Sequence, residues 1–143
     1  MEQHREEGVW SRVAAQPRQE LGDLRSLLRE SAALAAIYRR AAETMTGQGK
    51  VLARKLLEEE LAAGACLRGI GILQATQKEQ VPLWEPGTKG GRGLLEGCYH
   101  RTRRCLAEYT ARSVEPEYGT VFRHLADRAA YRCCLLAQLL GTV

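Results

Sequence analysis

Residues 51–73, VLARKLLEEELAAGACLRGIGIL, decide how the chain folds. At helical spacing Leu52, Leu56, Ala63, Cys66, Ile70 and Leu73 form one apolar stripe, stepping by three and four residues as a buried seam does. Glu59 belongs to the same series, so the spacing predicts a carboxylate pointing where every neighbour is apolar. Such a group must be paired, protonated or bound to a ligand, because burying it alone costs several kcal/mol. The competing reading is that Glu59, inside the run Glu58-Glu59-Glu60, tilts to solvent.

The rest of the chain supplies more helices of the same kind. Leu21, Leu24, Leu28, Ser31, Ala35, Tyr38, Ala42 and Met45 step along one face of a helix beginning near Gln19, with Gly47 and Gly49 marking its end. Residues 78–93, KEQVPLWEPGTKGGRG, hold two prolines and four glycines and predict a long loop. A third helix from Leu94 to about Ser113 carries Leu95, Cys98, Thr102, Cys105 and Tyr109 on its seam. A fourth, from about Tyr118 to Leu140, carries Phe122, Leu125, Ala129, Arg132, Leu136 and Leu139, and here Arg132 breaks the apolar stripe. Residues 1–17 are polar and form an N-terminal extension, leaving 18–143 as one all-α domain.

Composition agrees with helix and narrows the function classes. The 143 residues suffice for a core without disulfides, and aromatics are scarce at 6%. The net charge of +4 is spread along the chain, which predicts no nucleic-acid partner. Neither a signal-peptide run nor the roughly 20 apolar residues of a membrane span is visible, so the expectation is a cytoplasmic protein without a membrane partner. The five cysteines, at 66, 98, 105, 133 and 134, lie inside helical patterns and not at zinc-finger spacing, and read as reduced, core-type thiols.

The halves echo one another. Tyr38 in AIYRRAA and Tyr109 in AEYTARS are each followed about 20 residues later by the middle of a second helix, at an offset of about 70. Two hairpins, 19–77 and 94–141, joined by a crossover at 78–93 make a four-helix bundle of ferritin-like topology. The segments ALAAIYRRAAE, LAEYTARS and VFRHLADRAAYRCCLLAQLLG, with the Glu-rich helix between, resemble the small ferritin-like or rubrerythrin-type bacterial proteins over residues 20–141.

That resemblance implies a dimetal centre held by a Glu on the first helix of each hairpin and a Glu-x-x-His pair on the second. The corresponding positions here are Ser31 and Thr102, Glu59 with Ala62, and Ala129 with Arg132. Of six ligands only Glu59 remains, and His4, His100 and His124 fall on none of the positions. The expectation is therefore a degenerate site with no metal cofactor, in which Glu59 and Arg132 form a buried polar pair backed by Ser31 and Thr102. A non-catalytic binding or assembly protein, acting as a homodimer, is the function expected. The alternatives are an iron- or manganese-binding oxidoreductase or iron handler with an atypical site, and a bundle that binds a small ligand in its interior.

Overall fold

The computed structural model describes residues 24–74 and 91–143, which form four α-helices. These are α1 (Leu24–Thr44), α2 (Gly47–Leu73), α3 (Arg92–Arg112) and α4 (Gly119–Leu140). Among the described residues there are no strands, and no helix is long and apolar enough to cross a membrane. The N-terminal extension at 1–17 and most of the crossover expected at 78–93 lie outside the described residues.

Each hairpin closes through a short turn. Only Met45 and Thr46 separate α1 from α2, and Gly47 takes φ +62°, a left-handed conformation that glycine adopts without a Cβ penalty. Between α3 and α4, Gly119 sits so close to the preceding turn that a Cβ there would lie 2.4 Å from the Ser113 carbonyl oxygen. A side chain at that position forces the backbone apart.

The helices associate because each lays an apolar stripe against the others. Along α1, Leu24, Leu28, Ala35, Tyr38 and Ala42 are buried; along α3, Leu95, Cys98, Cys105 and Tyr109; along α4, Phe122, Leu125, Ala129, Leu136 and Leu139. These are the seams that the sequence predicts. α1 packs along α2 and α3 along α4, while the hairpins meet mainly through α2 and α4, with a smaller contact between α1 and α3.

Two apolar clusters fix the helix directions. One gathers Leu24, Leu27 and Leu28 with Leu67 and Ile70, Cys105 and Tyr109, and Phe122 and Leu125. The other gathers Leu34 and Ile37 with Leu52 and Leu56, Leu95 and Cys98, and Leu135 and Leu139. Hence α1 runs parallel to α4, and both run antiparallel to α2 and α3. The C-terminal end of α2 and the start of α3 lie at opposite ends of the bundle.

The seam of α2 departs from expectation. Its buried residues are Gly49, Leu52, Ala53, Leu56, Glu60, Ala63, Gly64, Leu67, Ile70 and Gly71, whereas Leu73 is exposed and Cys66 half-buried. The expected stripe, 52-56-59-63-66-70-73, advances 3.5 residues per turn on average, the repeat of a supercoiled helix. The observed stripe, 52-56-60-63-67-70, advances at the 3.6 of a straight one. The two coincide at Leu52, Leu56, Ala63 and Ile70 and differ at the acid.

Candidate functional site

Glu60, not Glu59, is the interior acid. Its side chain is buried between the two apolar clusters, and its carboxylate lies 3.5 Å from Nη2 of the equally buried Arg132. The expected Glu59–Arg132 pair does not form. One residue along the helix is a turn of about 100°, which carries Glu59 out to the α2–α4 groove. There its Oε1 accepts a 2.7 Å hydrogen bond from Nε of Arg128. Ala62 is likewise exposed, and Ala63 takes the inward position three residues after Glu60.

The remaining expected positions do converge. Ser31 on α1 donates from Oγ to Glu60 Oε2 at 3.3 Å, and the same hydroxyl lies 3.3 Å from the Glu60 carbonyl oxygen. Gly64 makes this approach possible, since a Cβ there would stand 3.2 Å from Ser31 Oγ. Thr102 on α3 shares a 3.4 Å hydrogen bond with the Tyr38 hydroxyl, so a side chain of the first hairpin meets one of the second. Ala129 is fully buried beside them. The buried residues at these positions are thus Ser31, Glu60, Ala63, Thr102, Ala129 and Arg132, with Tyr38 joined to Thr102.

The electrostatics of this set are those of a dry interior. Burial raises the Glu60 carboxyl above its ordinary pKa, and the opposing pull of Arg132 and the Ser31 hydrogen bond does not cancel that cost. At 3.5 Å the guanidinium contacts the carboxylate as an ion pair without the short, bidentate geometry that makes such pairs strong. Nε and Nη1 of Arg132 find no hydrogen-bond partner among the described residues. Burial also pushes the Tyr38 hydroxyl well up, so it acts as a neutral donor or acceptor and not as a phenolate.

A pH dependence follows from the Glu60 shift. A carboxyl whose folded pKa exceeds its unfolded one binds more protons when folded, so its contribution is fully present at low pH and is lost as pH rises through the folded value. The stability of the wild type relative to Glu60→Gln should therefore fall as pH rises above the ordinary carboxyl value of 4.5, measured by urea unfolding at a series of pH values. A flat difference would mean that Glu60 titrates normally.

The thiols divide in the same way. Cys98 and Cys105 are buried and burial pushes both up to about 12, whereas Cys134 is exposed. Since the thiolate is the reactive form, alkylation of the native protein near pH 8 should label Cys134 rapidly and spare Cys98 and Cys105 until the chain unfolds. Peptide mass mapping reads this directly.

The chemistry of the interior set does not suit a pair of divalent ions. It offers one carboxylate, two hydroxyls and a permanent cation, where hard metals need several anionic or imidazole donors. Among the described residues no group of three or more His, Cys, Asp or Glu side chains is arranged to hold a metal. Outside the core, Glu59, Ala62, Ala63, Cys66, His124, Leu125 and Arg128 line a groove between α2 and α4 of about 80 Å³. That volume is well below the roughly 300 Å³ of a small-molecule pocket. No model of a known family matches the chain, and neither a characterised protein nor a solved structure matches it.

Proposed function

We propose that the chain is a ferritin-like four-helix bundle in which a fixed ion pair occupies the place of a dimetal centre, and that it serves as a non-catalytic binding or assembly protein. The reading is supported by the helix directions. α2 ends at one end of the bundle and α3 begins at the other, with α1 parallel to α4, and a ferritin-like arrangement of helices has these directions. The observation that carries it is the burial of Arg132 against Glu60, with Ser31 and Thr102 at the first-helix positions. A guanidinium held inside the bundle repels divalent ions and supplies no lone pair to bind them.

The expected homodimer remains part of this reading. Leu61, Ile72 and Leu73 leave apolar surface exposed on α2, and pairing of two copies there would cover it. Sedimentation equilibrium measures that association, and a monomer at micromolar concentration counts against it.

The deciding experiment is metal analysis of protein produced with added iron and manganese. The expected result is far less than one metal ion per chain, with no change in melting temperature on adding a chelator. Stoichiometric iron or manganese that disappears in Glu60→Ala would replace this reading with that of a metal-dependent oxidoreductase or iron handler.

A further inference from the structure

Among the described residues three acid–arginine pairs join the hairpins, and in each of these the acid belongs to the first hairpin and the arginine to the second. Glu30 on α1 receives Nε of Arg101 on α3 at its Oε1 and Nη2 at its Oε2, the latter at 3.3 Å. Glu59 on α2 binds Nε and Nη2 of Arg128 on α4. Glu60 on α2 faces Arg132 on α4 inside the bundle.

Two of these pairs join positions that the internal repeat makes equivalent. Glu30 and Arg101 are 71 residues apart, the offset that also relates Ser31 to Thr102 and Tyr38 to Tyr109. Glu59 and Arg128 are 69 apart, the offset that relates Glu60 to Ala129 and Ala63 to Arg132. Because α1 lies antiparallel to α3 and α2 antiparallel to α4, a local two-fold axis passes through both contacts. A residue beside such an axis faces its own counterpart from the other half. In two identical halves Glu30 would meet a glutamate, and so would Glu59.

We infer that this sorting of charge is an address: the face of α1 and α2 accepts a hairpin that presents arginines at the two axial positions, and rejects a second hairpin of its own kind. The interior pair enforces the same rule more severely. Two first-type hairpins would bury two carboxylates and two second-type hairpins two guanidiniums, each without a counter-charge, whereas unlike hairpins bury one of each. Like charges in direct apposition also disfavour the wrong pairing at the rim. The chain thus closes hairpin one on hairpin two although the repeat gives both nearly the same apolar seam. The inference rests on the three pairs and their offsets, and it holds whether or not the bundle is ferritin-like.

Charge exchange in the full chain tests it. Arg101→Glu with Arg128→Glu sets acid against acid at both axial contacts, and Glu30→Arg with Glu59→Arg sets base against base. All four substitutions together restore opposite charges with the polarity reversed. Each same-sign variant should lose at least about tenfold in its folding equilibrium constant at low salt, with the loss shrinking toward 1 M salt as screening shortens the reach of the charges. The fourfold exchange should recover most of that loss. Loss of side-chain packing alone would leave the fourfold variant the worst of the three. Failure of the exchange to recover at least half of the loss, or same-sign variants as stable as the wild type, would overturn the inference.

Discussion

Glu60→Ala should lower stability by about 3–5 kcal/mol, the usual cost of removing one partner of a buried ion pair. The loss comes less from the attraction that disappears than from what stays behind. Arg132 is about 1% exposed and two of its nitrogens already lack hydrogen-bond partners among the described residues, so without the carboxylate its charge is stranded. For a chain of this size that corresponds to a fall of roughly 6–20 °C in Tm. Glu59→Ala should cost less than about 1 kcal/mol, because its partner Arg128 is 43% exposed and water replaces the contact. Glu58 is exposed, and Glu58→Ala should change little. The double variant Glu60→Leu with Arg132→Met should recover most of the loss of the single one, since a packed apolar pair carries no desolvation penalty. Calorimetry on the four proteins checks the order, and equal shifts for Glu58, Glu59 and Glu60 would remove the interior pair from consideration.

Phe122→Ala should be comparably severe, at about 3–5 kcal/mol. Phe122 is the only phenylalanine in the chain, is fully buried, and sits in the cluster built from Leu24, Leu67, Ile70 and Tyr109. Its removal forfeits the transfer energy of the ring and leaves a cavity that four packed helices cannot fully collapse. The ring also lies 5.6 Å below the guanidinium carbon of Arg112, itself largely buried at the end of α3. That stacking links the end of α3 to the start of α4. Phe122→Leu should retain most of the burial and lose the stacking, so its cost should fall well short of the alanine variant in chemical denaturation.

Three of the four helices were legible because their seams contain only one plausible stripe. On α1 and α3 the faces opposite Leu28 and Cys98 are rich in arginine, and on α4 the face opposite Leu125 carries Arg123, His124, Asp127 and Gln138, so periodicity identifies the inward side. On α2 apolar or small residues occur on several faces, with Leu57, Leu61, Ala62 and Cys66 off the seam, and three consecutive glutamates offer three ways to place one acid inward. Spacing cannot choose between Glu59 and Glu60 when steps of three and four after Leu56 are both helical. The repeat does not choose either, since an offset of about 70 sets Glu59 against Ala129, whereas the folded contact sets Glu59 against Arg128, 69 residues on. Ser31, Thr102, Ala129 and Arg132 are buried, each in step with the apolar residues of its own helix. The pairing of Glu30 with Arg101 depends on how α1 crosses α3, which one-dimensional periodicity does not contain.

The helix directions also bear on the order in which the molecule assembles. Within each hairpin the partners are neighbours along the chain, so α1 with α2, and α3 with α4, can zip together at small entropic cost. The polar interactions that join the hairpins bridge residues 64 to 72 apart in the chain. Loop closure makes these distant contacts the costliest to form, so a variant that weakens only the contacts between hairpins is expected to slow their docking while leaving each hairpin free to form, which stopped-flow refolding measures.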